Sequence, residues 1–459
     1  KDIYIPRVKW MPNATMLTFQ RQSRDQKTLK LKSHNIKTRR QKTLLTETSD
    51  NWVNLHHDLR FLSDNSFIWA SERDGYKHLY HYSEKGKLKT QLTQGEWVVD
   101  SLKSIDEDNG WVYFTGRADT PLERHLYKVP LSGKSPDHVV RVTKRNGFHN
   151  VFFANDNQSY IDDYSNIETP KQVSLHKVTG ERITWLSENK IDENHPASAY
   201  ADDMVHPEFG SLKSDDGNAT LYYKMYKPKQ LSPGKKYPVI VRVYGGPHVQ
   251  RVTNEWNNKE LFTQYLVQQG YIVYQLDNRG SNYRGTAFEF PIYEKLGAVE
   301  VADQITGAKF LQSLPYVDKE RIGIYGHSYG GYMALMAMFK ASEYFKAGVS
   351  GAPVTDWMLY DTHYTERYLN HPADNANGYD QSSVFPYIDG LSGPLFVYHG
   401  MADDNVLFTN TTKLIKEMQD KNKVFELMTY PGSKHSMRGK KVKVHLNSTI
   451  VNFFDRHFK

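Results

Sequence analysis

Apolar and polar residues alternate along short stretches throughout the first 200 residues of the chain. The clearest examples are residues 67–70, 78–82, 111–114 and 125–129, and glycine-containing turn sequences lie between them. Alternation bounded by turns is typical of half-buried β-strands. Since no pattern of a long amphipathic helix interrupts these runs, we predict an all-β domain over residues 1–200.

One of these strand patterns is repeated. The segment HLYHY at 78–82 recurs as HLYKV at 125–129, with SLHKV at 174–178 and TLKLK at 28–32 as further copies. The corresponding leucines follow at intervals of 50, 47 and 49 residues: Leu29, Leu79, Leu126 and Leu175. A period of this length with several strands per unit indicates β-propeller blades, and a β-sandwich with coincidental similarity is the alternative. Because the repeat begins at the chain start, we expect further blades upstream.

From about residue 206 the pattern changes to strands that alternate with helices. The predicted strands are 238–244, 271–276, 322–325, 347–350, 395–398 and 425–429. The predicted helices are 299–314, 329–340, 410–420 and 444–457. Apolar strands separated by helices predict a mostly parallel sheet that is covered on both faces. We therefore expect an α/β domain over residues 206–459.

A catalytic motif lies between a predicted strand and a predicted helix of this domain. The sequence Gly326-His327-Ser328-Tyr329-Gly330 has the form G-x-S-x-G. In α/β-hydrolases this motif forms a sharp turn that exposes a nucleophilic serine at the end of a strand. The context predicts that Ser328 is the nucleophile of an α/β-hydrolase domain.

A serine nucleophile needs a base and an orienting carboxylate, which follow it in the order acid then histidine in this fold. The strand at 395–398 leads to Asp403 and Asp404, and the spacing suits either residue. The strand at 425–429 leads to His435, which we predict as the base. His399 lies too close to its strand to be preferred.

The reaction also needs hydrogen-bond donors for the developing oxyanion. The backbone N–H of Tyr329, directly after the nucleophile, is one candidate. The phenol of Tyr244, beside the paired glycines 245 and 246, is the second candidate, and a strand-end aromatic without a catalytic role is the alternative. Aromatic residues at 357, 360, 364 and 368 have helical spacing, which fits either core packing or a specificity pocket.

Composition excludes several other classes of chemistry. The 459 residues include no cysteine, so disulfides, thiolate metal sites and cysteine nucleophiles are absent. No run of roughly 18 apolar residues is present, so we expect no membrane span in this chain. The formal charge of +7 is a mild excess of 59 basic over 52 acidic residues, and we expect no nucleic-acid partner.

The C-terminal half resembles the prolyl oligopeptidase family of serine peptidases, specifically its dipeptidyl peptidase IV branch. The matching segments are VRVYGGP (241–247), DNRGS (277–281), GHSYGGY (326–332), APVTDW (352–357), YDTHYTERY (360–368) and HGMADDNV (399–406). The N-terminal half, including PLERHLYKV (121–129), is similar to the later blades of that family's eight-bladed propeller. The resemblance implies an α/β-hydrolase domain preceded by an all-β propeller portion.

The resemblance also implies roles for individual residues. It favours Asp403 over Asp404 as the triad acid, and it makes Tyr244 and Tyr329 the oxyanion donors. The residues that match the family's proline pocket and substrate contacts are Val354, Trp357, Tyr360, Tyr364, Arg367 and Asn405. Asn405 would hold a substrate carbonyl, and Arg367 would brace the glutamates that recognise the substrate. No metal or cofactor is implied.

The implied activity is release of N-terminal Xaa-Pro or Xaa-Ala dipeptides from peptides by a homodimeric enzyme. The glutamate pair that captures the substrate's amino group in the family has no match here, since Glu47, Glu72, Glu96 and Glu123 lie in other contexts. We therefore interpret the chain as the C-terminal part of a longer protein. A tripeptidyl, acylaminoacyl or endopeptidase of the same family is the alternative, and an inactive propeller-based interaction protein is a further one.

The chain begins at Lys1 rather than at a methionine, so a signal peptide could have been removed with an upstream segment. The lack of cysteine and the histidine in GHSYGG favour a bacterial member of the family. We accordingly favour a periplasmic or secreted location, with the cytoplasm as the alternative.

Overall fold

The computed structural model describes residues 2–134, 139–256 and 260–459. It divides into two compact units. The N-terminal unit comprises Lys1–Asp202 together with Thr253–Asn257 and Tyr283–Ala287, and the C-terminal unit comprises Asp203–Val252, Asn258–Asn282 and Phe288–Lys459. Two short segments from the second half of the chain thus belong to the β-rich unit, a feature that the sequence patterns do not indicate.

The described residues of the N-terminal unit form four successive antiparallel sheets. The first holds β1 (Ile3–Tyr4), β2 (Val8–Trp10), β3 (Met16–Ser23), β4 (Thr28–Asn35) and β5 (Gln41–Thr48). The second holds β6 (Arg60–Phe61), β7 (Phe67–Ser71), β8 (His78–Tyr82) and β9 (Leu88–Gln91). The third holds β10 (Val99–Asp106), β11 (Trp111–Gly116), β12 (His125–Pro130) and β13 (Val140–Arg141), and the fourth holds β14 (Phe148–Phe153), β15 (Ser159–Ser165), β16 (Gln172–Lys177) and β17 (Arg182–Ser187).

The repeat seen in the sequence is confirmed, because its four copies lie on β4, β8, β12 and β16, the third strand in the pairing order of each sheet. The repeated side chains make equivalent contacts. His78 Nδ1 lies 3.0 Å from Thr93 Oγ1, and His125 Nδ1 lies 3.2 Å from Thr143 Oγ1. Four-stranded antiparallel sheets that recur at this period are typical of propeller blades.

The C-terminal unit is built on one eight-stranded sheet. Its strands are β18 (Glu208–Lys213), β19 (Thr220–Tyr226), β20 (Tyr237–Val243), β21 (Ile272–Leu276), β22 (Val317–His327), β23 (Ala347–Gly351), β24 (Leu395–Gly400) and β25 (Glu426–Tyr430). The order is β18-β19-β21-β20-β22-β23-β24-β25. The pairs from β21 to β25 are parallel, whereas β18 and β19, which the sequence analysis does not identify, pair in antiparallel fashion.

Helices cover both faces of this sheet, as predicted. A Cβ atom on Gly323 would meet Phe454 on one face, and a Cβ atom on Gly348 would meet Met338 on the other. The α-helices of the described chain are α1 (Ser198–Ala201), α2 (Glu260–Gln268), α3 (Thr286–Glu289), α4 (Val299–Ser313), α5 (Tyr329–Lys340), α6 (Thr362–Leu369), α7 (Ala376–Ser382), α8 (Thr409–Asp420) and α9 (Lys440–Phe458). Short 3₁₀ helices occupy Phe290–Ile292, Trp357–Leu359 and Phe385–Gly390.

None of the helices in the described parts of the chain combines the length and the apolar character that a membrane crossing needs.

Candidate active site

Four predicted site residues follow the carboxyl ends of parallel strands. Ser328 follows β22, Asp403 follows β24, His435 follows β25 and Tyr244 follows β20. The carboxyl ends of parallel strands lie along one edge of a sheet, where open α/β folds bind their ligands. The topology therefore brings together residues that are up to 191 positions apart in the sequence, the separation of Tyr244 from His435.

The turn that carries Ser328 has an unusual backbone conformation. Ser328 has φ 64° and ψ −124°, and α5 begins at the next residue. The chain can turn this sharply because glycines flank it. A Cβ atom on Gly326 would lie 2.1 Å from the Gly330 carbonyl oxygen, and one on Gly330 would lie 2.4 Å from the Val243 carbonyl oxygen. A non-glycine residue held at positive φ is strained, which is common where a side chain must be presented for chemistry.

Ser328, His435 and Asp403 form a continuous hydrogen-bonded chain. Ser328 Oγ lies 2.9 Å from His435 Nε2, and His435 Nδ1 lies 2.7 Å from Asp403 Oδ2. A carboxylate only accepts, so Nδ1 carries the imidazole proton and Nε2 is free to accept from the serine hydroxyl. This arrangement can take a proton from Ser328 and stabilise the imidazolium that results.

The structure separates the two aspartates that the sequence spacing leaves equivalent. Asp403 is buried, and its Oδ1 accepts the N–H groups of Asn405 at 2.9 Å and Val406 at 3.0 Å. Burial by itself would raise the pKa of Asp403, but hydrogen bonds from His399, His435 and the Asn405 amide outweigh burial and hold the pKa well below its usual range. Asp404 is exposed and pairs with Lys434.

Two histidines in contact with the triad were not predicted as site residues. His399 Nε2 lies 3.1 Å from Asp403 Oδ2, the oxygen that His435 also contacts, and 2.9 Å from the Val406 carbonyl oxygen, so it can help to fix the carboxylate. His327 Nε2 lies 2.9 Å from the main-chain oxygen of His435. Both residues lie inside segments that carry the family resemblance, His327 in 326–332 and His399 in 399–406, and that position is the signal available in the sequence.

The two predicted oxyanion donors lie near the nucleophile. Tyr329 is the first residue of α5, so its N–H has no acceptor in a preceding helical turn. The rings of Tyr244 and Tyr329 are 6.2 Å apart. Burial raises the pKa of Tyr244, and the Arg251 guanidinium, 5.0 Å from the Tyr244 ring centroid, opposes that rise. The Tyr244 hydroxyl therefore stays protonated and able to donate at neutral pH.

The aromatic residues of the predicted pocket cluster beside the turn that carries Ser328. Trp357 is buried, and its ring lies 5.5 Å from Tyr329, 6.0 Å from Tyr360 and 6.1 Å from Tyr364. The stripe at 357–368 is not one helix. A 3₁₀ turn ends at residue 359, and Asp361 caps α6 by accepting the Tyr364 N–H at 2.9 Å. The break lets Tyr360 and Tyr364 meet edge to face at 5.1 Å.

The remaining predicted residues lie around this cluster. Asn405 accepts a hydrogen bond from the Tyr360 hydroxyl at 2.7 Å, which ties the loop after β24 to the aromatic pocket. Val354 is buried three residues before Trp357. Arg367 is largely buried and donates to His248 Nε2 at 2.9 Å.

Three of the glutamates considered in the sequence analysis bind within the N-terminal unit. Glu47 accepts from Trp69 Nε1 at 3.1 Å, Glu72 from Asn54 Nδ2 at 3.0 Å and Glu123 from Asn254 Nδ2 at 2.7 Å. These contacts give the three carboxylates structural partners.

Comparison with known proteins shows two family matches. Residues 1–171 match the dipeptidyl peptidase IV N-terminal region, and residues 257–459 match the prolyl oligopeptidase family. Dipeptidyl peptidase 8 of Mus musculus is 36% identical over 447 residues, covering 87% of this chain and 49% of the mouse protein. Dipeptidyl peptidase 8 of Homo sapiens gives the same identity and coverage.

A solved structure has the same fold. The crystal structure of Porphyromonas gingivalis dipeptidyl peptidase 4 matches with a TM-score of 0.93 and 31% identity, covering 99% of this chain and 63% of that chain. The chain therefore spans about half the length of the curated relatives and 63% of the solved structure. The expected fold class is confirmed as an α/β-hydrolase domain preceded by a β-rich region.

Proposed function

Because this chain belongs to the prolyl oligopeptidase family of serine peptidases, in its dipeptidyl peptidase IV branch, we propose that it carries the catalytic part of a serine exopeptidase. The enzyme releases N-terminal Xaa-Pro or Xaa-Ala dipeptides from peptides. The observation that carries the proposal is the hydrogen-bonded chain from Ser328 through His435 to Asp403. The substrate length and the proline preference are inferences from the family and the pocket.

In the first half of the reaction, Ser328 Oγ attacks the carbonyl carbon of the substrate's second residue while its proton moves to His435 Nε2. The Asp403 carboxylate stabilises the resulting imidazolium by accepting a hydrogen bond from His435 Nδ1–H. The Tyr329 N–H and the Tyr244 hydroxyl donate to the oxyanion of the tetrahedral intermediate. Collapse of the intermediate breaks the C–N bond, and His435 returns the proton to the leaving amine.

In the second half, a water molecule attacks the acyl-enzyme ester. His435 accepts one proton from the water and passes it to Ser328 Oγ as the ester bond breaks. The dipeptide leaves with a free carboxylate, and the serine hydroxyl is restored. Apart from the substrate and this water molecule, every group in this cycle is a side chain or a backbone amide of this chain.

The aromatic pocket supports the preference for proline. Trp357, Tyr360 and Tyr364 offer flat faces at 5–6 Å spacings, which suit a compact, flat ring. Asn405 and Arg367 hold the substrate backbone and the adjacent recognition groups. In the family, a pair of glutamates binds the substrate's amino group and so sets the length of the released product at two residues. That pair has no match in this chain.

The test is turnover of a Gly-Pro chromogenic substrate together with labelling by a fluorophosphonate, which reacts with an activated serine. We expect both in the wild type and neither in Ser328→Ala. Equal turnover by the two proteins would reject the assignment. Cleavage of N-blocked peptides in preference to Gly-Pro substrates would favour the acylaminoacyl or endopeptidase alternative, and a lack of labelling in the wild type would favour the inactive interaction protein.

We further propose that the enzyme is a homodimer formed through the edge of the C-terminal sheet. β25 is the last strand in the sheet order. Leu427 on β25 is 40% exposed, Val424 just before the strand is 88% exposed, and Val444 on α9 is 57% exposed. An edge strand flanked by exposed apolar side chains favours pairing with a second copy. Light scattering should give a dimer mass that Leu427→Asp halves, whereas Leu261→Asp, exposed on α2, should leave the mass unchanged.

A further inference from the structure

The side chain of His327 links three elements of the C-terminal unit. His327 ends β22, directly before the nucleophile. Its Nε2 lies 2.9 Å from the main-chain oxygen of His435, and its Nδ1 lies 3.1 Å from the hydroxyl of Tyr398 on β24. The rings of His327 and His435 are 4.8 Å apart. One imidazole therefore contacts both β24 and the loop that carries the base.

The direction of these hydrogen bonds follows from their partners. A carbonyl oxygen only accepts, so His327 Nε2 carries the proton and donates to the His435 oxygen. In the neutral imidazole Nδ1 then accepts from the Tyr398 hydroxyl. Burial raises the pKa of Tyr398 well above its usual value, which keeps that hydroxyl protonated. The result is a hydrogen-bonded chain in which Tyr398 donates to His327 and His327 donates to the main-chain oxygen of His435.

His327 remains uncharged while it makes these contacts. Burial, followed by the proximity of His435, lowers the pKa of His327 to about 3. A neutral ring adds no positive charge beside the imidazole that must become protonated during the reaction. His327 therefore supports its neighbour without opposing the charge that the reaction forms there.

A second hydrogen bond holds the loop that carries His435, at a position just before that residue. The Ala402 N–H donates to the Ser433 carbonyl oxygen at 3.1 Å, two residues before His435. The His327 contact holds the loop at His435 itself. Since an imidazole displaced by about 1 Å loses much of its hydrogen bond to the serine, the contact at His435 controls the distance that matters for proton transfer.

We propose that His327 is a positioning residue, which holds the main chain of His435 so that its Nε2 stays within hydrogen-bonding reach of Ser328. The inference rests on the proposed function, because it assigns His327 a role in the same reaction. It predicts that the hydrogen-bond donor at the Nε2 position, rather than the aromatic ring, is what the reaction requires.

The test compares His327→Phe with His327→Gln in the full chain. Phenylalanine keeps a ring but removes the donor, whereas glutamine places an amide N–H near the position of Nε2. We expect kcat on a Gly-Pro substrate and the rate of fluorophosphonate labelling to fall about 10- to 100-fold in His327→Phe, with KM within about twofold of the wild type. His327→Gln should recover most of the lost rate.

Equal rates for the phenylalanine variant and the wild type would overturn the inference, as would a glutamine variant as slow as the phenylalanine variant. Thermal unfolding checks that each variant is folded. If His327→Phe does not fold, His327→Asn replaces it, because the shorter amide cannot reach the His435 oxygen. Equal rates for the asparagine and glutamine variants would then overturn the inference.

A matched control separates this role from a general effect of losing a histidine. His445 lies on α9, is exposed and contacts the Tyr430 hydroxyl at 3.0 Å. His445→Gln should leave both rates unchanged. A wild type that neither labels nor turns over substrate would reject the proposed function and this inference together, whereas a labelled wild type with unaffected variants would reject the inference alone.

Discussion

At the scale of single residues, the surroundings of Asp403 decide what a carboxylate can do. Asp403 and Asp404 are neighbours of the same chemical type, but the first is buried with four hydrogen-bond partners and the second is exposed beside Lys434. A buried carboxylate that accepts several hydrogen bonds remains ionised and fixed in place. Such a group can orient an imidazole and stabilise its charge.

We predict different outcomes for the same substitution at these two positions. Asp403→Asn should lower kcat by about 10³- to 10⁴-fold, because an amide favours the wrong tautomer of His435 and removes the negative charge. Asp404→Asn should leave kcat within about twofold of the wild type. Steady-state kinetics on a Gly-Pro substrate measures both, and a larger loss for Asp404→Asn would contradict the assignment.

At the scale of elements, a group of charges fastens α2 to two strands of the sheet. Glu260 opens α2, and its carboxylate lies 3.3 Å from Lys224 Nζ on β19 and 3.2 Å from Arg242 Nη1 on β20. Burial alone would raise the pKa of Glu260, but the two cations and the Thr263 hydroxyl outweigh burial and lower the pKa to about 2. The ionised carboxylate is therefore favoured in the folded state.

This pKa shift predicts how stability depends on pH. Because the pKa of Glu260 is lowered on folding, its contribution is present above an unfolded pKa of 4.5 and is lost as the pH falls towards 2. The contribution at neutral pH is on the order of 3 kcal/mol. Urea unfolding should show that the gap in unfolding free energy between the wild type and Glu260→Gln is largest near pH 7 and narrows below pH 4.5.

The exposed Glu343 provides the control for that measurement. Glu343→Gln should give a small difference from the wild type at every pH tested. A gap for Glu260→Gln that stays constant or widens as the pH falls would contradict the predicted sign.

At the scale of the whole molecule, two segments from the second half of the chain, 253–257 and 283–287, belong to the N-terminal unit. Within that unit, the Asn254 N–H donates to the Leu122 carbonyl oxygen at 2.8 Å, and the Asn254 amide donates to Glu123 at 2.7 Å. The Arg117 guanidinium lies 3.9 Å from the ring centroid of Tyr283. These contacts fix two segments that are continuous with the C-terminal unit.

We therefore predict that residues 203–459 expressed alone are less stable than the whole chain. Their segments at 253–257 and 283–287 lose the partners that the N-terminal unit supplies, including a partly buried hydrogen bond and a cation–π contact worth about 1 kcal/mol each. The measurement is the temperature at which fluorophosphonate labelling of Ser328 is lost. A fragment that keeps its labelling to the same temperature as the whole chain would contradict the prediction.

Local sequence determined the features that depend on neighbouring residues. Alternation and helical spacing indicate the strands and helices, and α5 has the predicted limits of 329 and 340, because side-chain periodicity follows directly from backbone geometry. The glycines around Ser328 indicate a sharp turn, because only they lack the Cβ atoms that would collide there. The ends of predicted strands located the candidate acid and histidine, once the α/β-hydrolase motif had set the order in which they follow the serine.

The tertiary structure decided the features that depend on residues far apart in sequence. It supplied the burial and hydrogen bonds that separate Asp403 from Asp404, which their spacing alone leaves equivalent. It also brought His399 and His327 against the triad and assigned 253–257 and 283–287 to the N-terminal unit. Desolvation and hydrogen bonding depend on which distant groups surround an atom, and no local pattern contains that information. Helical spacing over 357–368 likewise could not show that Asp361 caps a new helix, so that the aromatic side chains before and after it meet in one cluster.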